Sequence, residues 1–235
     1  MKASNGKIPK HIGIILDGNR RFAKRLMLKP YKGHEWGYKK VEKLLDWCKE
    51  LNIKELTLYT FSVENFNRPK KEFNYLMKLF REAFNALRKE KKKIKDLRIN
   101  FIGRLKMFPK DVQKSMYKLM EETKKHKKYI INFAMAYGGR AEIIDATRKI
   151  ASLVKKGKLS INKINESIFE KGLYLKSQPD MIIRTSEQRL SGFLLWQSAY
   201  SEIIFLPNKL WPEFTKRDLV KCIDDYNNRE RRFGK

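Results

Sequence analysis

The feature that most limits what this chain can become is a regular alternation of short apolar runs with longer amphipathic ones. HIGIIL (11–16) is a short apolar run that stops at Asp17-Gly18-Asn19, the pattern of a buried strand ending in a turn. From Gly37 onward Val41, Leu44, Leu45, Cys48 and Leu51 recur at helical spacing, and ELTLYTF (55–61) then reads as a second strand. Phe73, Leu76, Met77, Phe80, Phe84 and Leu87 form the bulky stripe of another amphipathic helix, followed by RINFIG (98–103) as a third strand. The spacing predicts a helix over 109–125, and YIINFAMAY (129–137) is the longest strand candidate. Gly138-Gly139 leads into a helix over 140–155, a short helix follows near 162–170, and DMIIRT and FLLWQSAYSEIIFL precede a closing helix over 215–229. Strands alternating with helices of this length predict an α/β fold with a mostly parallel sheet covered on both faces. No repeat or Ser/Gly-rich linker interrupts the pattern, so 1–235 reads as one domain.

Charge narrows the partners. The chain carries 54 Lys+Arg against 26 Asp+Glu, a formal +28, which attracts nucleic acid, anionic lipid surfaces or phosphorylated small molecules. Much of the excess lies in lysine runs such as 89–95 and 124–128 on solvated faces, and no RRM, KH or helix-turn-helix signature accompanies it. No nucleic-acid partner is therefore expected. Cys48 and Cys222 stand far apart, and His11, His34 and His126 are scattered, which argues against a disulfide framework, a zinc site or an HExxH centre. No run reaches the ~18 apolar residues of a membrane span, and MKASNGKIPK lacks a hydrophobic signal core. The expectation is a cytoplasmic protein, at most peripheral to a membrane.

The chain has no GxGxxG and no GxxxxGK[ST], so the common phosphate-binding loops are excluded. In LDGNRRFAKR (16–25) a strand end, a Gly turn and a helix start coincide, a place where backbone N–H groups and a helix dipole favour an anion. Arg20, Arg21 and Arg25 add charge, and Asp17 among them makes sense if it carries a divalent cation bridging to phosphate; the plainer reading is a simple Asp-Gly-Asn turn. RTSEQRLSGFLLWQ (184–197) is a second basic cluster at a strand end, where Arg184, Arg189 and Ser191 could clamp another diphosphate. Its plainer reading is arginines paired with Glu187 and Glu202. Between the two, FSVENFNRP (61–69) brings Ser62, Asn65 and Arg68 to the end of a strand, as chemistry at an open α/β sheet requires and as ordinary turn residues would also do.

These segments resemble, in order over nearly the whole chain, the cis-prenyltransferase family of undecaprenyl and dehydrodolichyl diphosphate synthases. HIGIILDGNRRFAKR resembles the family's first motif, GHEWGYKK its GHxxG continuation, and LTLYTFSVENFNRPKKEFNYLM its LTLYAFSxENWxRPxxEVxxLM segment. INFAMAYGGRAEII resembles NxAxxYGGRxEI, and PDMIIRTSEQRLSGFLLWQSAYSEIIF resembles the PDLxIRTxGExRLSxFLLWQxAYxEL block. The resemblance implies an α/β fold with a hydrophobic product tunnel and Mg²⁺-dependent cis-condensation of isopentenyl diphosphate with an allylic diphosphate, farnesyl or geranylgeranyl. The product implied is a long polyprenyl diphosphate, precursor of a glycosyl carrier lipid.

By the same resemblance Asp17 is the catalytic, Mg²⁺-linked aspartate, and Gly18, Asn19, Arg20, Arg21 and Phe22 bind the allylic diphosphate. Arg184, Arg189, Leu190 and Ser191 hold isopentenyl diphosphate, and Asn65 assists proton removal. His34, Ser62, Val63, Glu64, Phe66 and Arg68 line the site, and Glu202 contributes to the metal across a homodimer. The stripe from Phe73 to Leu87 is implied as tunnel wall as well as core. Four departures stand out: Arg20 where bacterial members carry Gly, Phe22 and Phe66 in place of Trp, Pro30 in place of an arginine, and a segment around Ser186 one residue shorter. The pattern is archaeal or eukaryotic in kind. Arg231 to Gly234 resembles the RxG ending that completes a partner subunit's isopentenyl site.

Overall fold

The computed structural model describes residues 7–230, so the Arg231–Gly234 ending lies outside the described residues. Six strands form one sheet: β1 (His11–Ile15), β2 (Glu55–Ser62), β3 (Leu97–Ile102), β4 (Tyr129–Tyr137), β5 (Met181–Thr185) and β6 (Glu202–Leu206). The order is β3-β4-β2-β1-β5-β6 and every pairing is parallel. The expected α/β class holds, and the sheet is wholly rather than mostly parallel. The helices are α1 (Asn19–Arg25), α2 (Gly33–Glu50), α3 (Lys70–Lys89), α4 (Lys91–Ile94), α5 (Lys110–Thr123), α6 (Gly139–Lys155), α7 (Glu166–Gly172) and α8 (Lys216–Asn228). Among the described residues no helix is long and apolar enough to cross a membrane.

Strand alternation divides the core. Ile12 and Ile14 point to the face where Leu44 of α2, Leu76 and Phe80 of α3, Met116 of α5 and Ile223 of α8 join one large apolar cluster. Ile15 and Ile182 turn to the other face, against Tyr137, Phe193 and Leu194. On that face Glu142 is buried and accepts from Tyr137 Oη, from the backbone N–H of Tyr174 (2.7 Å) and from Gln197 Nε2 (3.2 Å). A buried carboxylate is tolerable only with such a set of donors. Here it ties the end of β4 to the irregular segment 190–200, which the sequence left without an element.

Because β1 is flanked by β2 on one side and β5 on the other, the chain reverses its winding there. The cleft outside the carboxyl ends of these three strands is where an open α/β sheet accommodates ligands. The packing that shapes the cleft is tight: a Cβ placed on Gly33 would collide with the carbonyl of Asn19, at the contact between α1 and α2. Gly33→Ala is therefore expected to lower stability by about 2 kcal/mol, because overpacking displaces α1. Thermal melts beside wild type check this, and an unchanged midpoint would contradict it.

Candidate active site

At the carboxyl ends of β1, β2 and β5 a cavity of about 640 Å³ opens, polar at its mouth and apolar in its depth. The mouth gathers Asp17, Gly18, Asn19, Arg20, Arg21, His34, Ser62, Asn65, Arg68, Arg184 and Ser191, eleven of the residues singled out in the sequence. The depth is walled by Val41 and Leu45 of α2 with Leu76, Phe80, Ala83, Phe84 and Leu87 of α3.

Asp17 stands two residues past the end of β1, and its main-chain carbonyl is fixed from two sides, accepting from Trp211 N (2.9 Å) and Thr185 Oγ1 (2.7 Å). Gly18 takes φ +106, a left-handed conformation open to glycine, and its N–H donates to Asp17 Oδ1 (2.7 Å). The other carboxylate oxygen accepts from Arg184 Nη2 (2.8 Å), while Arg21 Nη2 stands 3.6 Å from Oδ1. Arg184, on β5, is 4% exposed at its side chain, whereas Asp17 keeps 32% of its own open to the cavity. Nη1 of Arg184 also donates to Ser191 Oγ (2.7 Å) and to the carbonyl of Arg189. Arg184 Nε and Ser186 Oγ are buried without a hydrogen-bond partner.

A second charged cluster lies across the mouth. Arg68 Nη1 donates to Glu72 Oε1 (2.8 Å), His34 Nε2 is 3.2 Å from Arg68 Nη1 and 3.5 Å from Glu72, and Arg20 approaches Glu72 at 3.9 Å. Contact with His34, then the charges of Arg68 and Arg20, hold the Glu72 carboxyl below its ordinary range against the opposing effect of burial. Burial pushes His34 below the usual imidazole value, and the nearby arginine charges act in the same direction. His34 is then neutral at pH 7, and its protonation favours the unfolded chain. Stability is expected to fall as pH drops below about 6.5, and His34→Gln should flatten that slope. Buried His11, lowered in the same way, leaves a residual slope. Denaturant melts between pH 7 and 5 provide the check; identical slopes would contradict it.

The remaining sequence candidates lie outside the cavity lining. Phe22 packs edge-on against Trp36 (5.6 Å between centroids), and Phe66 packs against Phe61, Phe73 and Phe108. Val63 and Leu190 are partly buried and Glu64 is exposed. Arg189 is exposed and pairs with Glu187 (2.7 Å), so for this arginine the plainer ion-pair reading describes the geometry; Glu187 also meets Arg21 (2.9 Å). Glu202 opens β6 in register with Met181, itself opposite Ile12, about 16 Å along the strands from Asp17. It accepts from Arg229 Nη1 (3.0 Å), not from a cavity residue. Arg184 pairs with Asp17 and not with Glu202, contrary to the plainer reading of that cluster.

Two features, one in the cavity lining and one beside it, carry no assignment from the sequence. Trp211, fully buried, donates from Nε1 to Gly37 O (3.0 Å) and closes the back of the mouth; no local pattern announces it. Glu72 did leave a signal. It stands four residues after Arg68 and four before Leu76, an acid in register with the apolar stripe of α3.

Among the described residues no three His, Cys, Asp or Glu side chains come together as a metal cage. Mg²⁺ does not require one, since it is commonly held by one or two carboxylates together with substrate phosphates and waters. Asp17, a partly exposed carboxylate among arginines at the cavity mouth, fits that mode.

A family model described as "Putative undecaprenyl diphosphate synthase" matches residues 15–234. A tritrans,polycis-undecaprenyl-diphosphate synthase (geranylgeranyl-diphosphate specific) of Methanopyrus kandleri is 47% identical, covering 100% of this chain and 88% of its own. Its namesake in Methanocaldococcus jannaschii is 44% identical over 97% of this chain and 83% of its own. Among solved structures, lavandulyl diphosphate synthase from Lavandula x intermedia, in complex with dimethylallyl diphosphate, superposes with a TM-score of 0.90 at 34% identity, covering 97% of this chain and 98% of that one. A probable undecaprenyl diphosphate synthase from Campylobacter jejuni gives 0.80 at 33%, covering 97% and 100%. With the family model matched over 15–234 and relatives 44–47% identical along the length of the chain, this chain belongs to the cis-prenyltransferase family and is a prenyl diphosphate synthase acting on isoprenoid diphosphates.

Proposed function

We propose that this enzyme condenses isopentenyl diphosphate repeatedly, in cis, with geranylgeranyl diphosphate, in a Mg²⁺-dependent reaction that yields a long-chain polyprenyl diphosphate, the precursor of a glycosyl carrier lipid. The observation that carries the reading is one cavity whose mouth presents two basic clusters around Asp17 and whose depth is apolar. The twenty-carbon starter is favoured over farnesyl diphosphate by the names of the 44–47% identical relatives.

The residues divide the work. Gly18, Asn19, Arg20, Arg21, His34 and Arg68 bind the allylic diphosphate at the α1 side, and its tail extends between α2 and α3. Arg184 with Ser191, both in the cavity lining and assisted by Arg189 and Leu190 from the adjacent loop, holds isopentenyl diphosphate, a guanidinium being suited to phosphate oxygens. Mg²⁺ held by Asp17 and phosphate oxygens would stabilise charge on the leaving diphosphate. The allylic C1–O bond breaks, the isopentenyl double bond attacks C1, and the proton lost from the new chain passes to a diphosphate oxygen. Asn65 assists that loss by orientation, since an amide does not itself store a proton; its Oδ1 is held by the Ser62 N–H (3.1 Å). Two diphosphates fixed in one cleft replace an encounter in solution with a preset geometry. Glu202 cannot reach Asp17 of its own chain, so a metal role for it requires a homodimer. The setting is the cytoplasm, with peripheral contact to a membrane that receives the product.

Competition between farnesyl and geranylgeranyl diphosphate for labelled isopentenyl diphosphate tests the starter. The reading expects geranylgeranyl to be preferred, and preference for farnesyl would overturn that part. Ala83, buried at 6% exposure, is a small residue in the cavity wall of α3. Ala83→Phe should fill the chamber and shift products to shorter chains with initiation preserved, as chromatography of the extracted lipids would show. An unchanged length distribution would place the growing tail elsewhere.

A further inference from the structure

The turn that joins α1 to α2 is built against solubility. Leu26, Met27 and Leu28 are 45, 96 and 42% exposed, and Trp36, one turn into α2, is 47% exposed. Met27 adopts φ +54, a left-handed conformation for which glycine or asparagine is the ordinary choice. If the segment served only to turn the chain, a polar residue would do so without exposing a thioether. Trp36 rests edge-on against Phe22 and lies beneath Lys39 Nζ at 6.0 Å, so its ring is held at the surface. Cations surround this apolar tip: residues 24–40 contain Lys24, Arg25, Lys29, Lys32, Lys39 and Lys40 against the single acid Glu35, which pairs with Lys32 (3.1 Å). Arg25 is matched by Glu213 from outside the segment (2.8 Å), leaving the local charge strongly positive.

We propose that the α1–α2 turn, with Leu26, Met27 and Leu28 exposed on it, Trp36 exposed one turn into α2, and Lys24, Lys29 and Lys39 in the same stretch of chain, is a docking surface for an anionic phospholipid bilayer. Apolar and aromatic residues enter the headgroup boundary and lysines meet the negative leaflet, the composition of an interfacial anchor. A second copy of this chain, carrying the same local positive charge, would be repelled from this surface. The location also fits: Lys24, at the end of α1, borders the cavity that opens at the same edge of the molecule. The usefulness of such docking rests on the proposed function, because a twenty-carbon allylic diphosphate and its longer products partition into bilayers; the surface itself does not.

The test is flotation of the full-length protein with vesicles of phosphatidylcholine, with and without phosphatidylglycerol, beside Met27→Glu and Lys29→Glu. Wild type should float with the anionic vesicles only, Met27→Glu should weaken partitioning on the order of tenfold, and Lys29→Glu should weaken it to a lesser degree. Turnover of substrates in vesicle-free solution should be the same for all three, which excludes misfolding. Equal binding of neutral vesicles, undiminished binding by Met27→Glu, or conversion of an oligomer to a smaller species by Met27→Glu would each overturn the proposal. Vesicle binding without any polyprenyl product would refute the enzymatic reading and leave the docking surface standing; product without vesicle binding would do the reverse.

Discussion

Asp17→Ala is expected to lower kcat on the order of a thousandfold while leaving the fold intact. The carboxylate sits where β1 ends, with its main-chain carbonyl anchored by Trp211 and Thr185 through backbone atoms that the substitution does not touch. Arg184 loses one partner but keeps Ser191 and the Arg189 carbonyl, so its buried guanidinium is not left bare. What disappears is the carboxylate that, on the proposed function, would carry a cation between two basic clusters and so stabilise charge on the leaving diphosphate. Asp17→Asn separates charge from shape: the amide fills the same space without the charge, so it should behave like alanine in turnover. Steady-state kinetics with saturating Mg²⁺ and circular dichroism together make the measurement. Turnover within tenfold of wild type for either variant would remove Asp17 from the chemistry.

Arg184→Met should raise KM for isopentenyl diphosphate about a hundredfold and destabilise the protein by about 3 kcal/mol. The guanidinium is nearly inaccessible, lies within the sheet on β5, and bridges Asp17 to the 189–191 loop. Removing it withdraws a fork of donors from phosphate oxygens and leaves Asp17 with Gly18 and a more distant Arg21, although its partial exposure allows some solvation. For a chain of this length the loss corresponds to a melting shift of roughly 6–12 °C. The isopentenyl KM should change far more than the allylic one. Equal changes in both would indicate collapse of the cleft and not loss of one subsite.

Much of this architecture was legible in the sequence because it is local. An apolar run bounded by Asp-Gly-Asn and a stripe at i, i+3, i+4 declare themselves within ten or so residues, and β1 through β5 fall within a residue or so of where periodicity put them. FLLWQSAYSEIIFL shows the limit. Its apolar density suits a strand or a helix, yet 191–200 is an irregular segment held by Gln197 and Glu142, and only Glu202–Leu206 pairs, as β6. The parallel order of the sheet rests on contacts between distant segments, to which a pattern read along the chain is blind.

The site divides in the same way. Asp17, Arg20, Arg21, Ser62, Asn65, Arg68 and Arg184 could be singled out because each stands at or soon after the carboxyl end of a strand in a polar motif. Their convergence in one cavity is a product of tertiary structure. Glu72 stands in register with the apolar stripe of α3, but its partners are supplied only when α1, α2 and the turn before α3 bring Arg20, His34 and Arg68 around it. Phe66 packs against Phe61, Phe73 and Phe108, a placement that its motif position alone does not give.

The central claim is that one cleft, organised by Asp17 and Arg184, elongates an allylic diphosphate in cis. It is tested most directly by incubating the purified protein with labelled isopentenyl diphosphate and geranylgeranyl diphosphate, with and without Mg²⁺. The extracted products are then resolved by length, and the geometry of each new double bond is read by NMR. The account predicts a Mg²⁺-dependent ladder of long polyprenyl products whose added units are all Z. Absence of elongation, elongation indifferent to Mg²⁺, or E double bonds would contradict it.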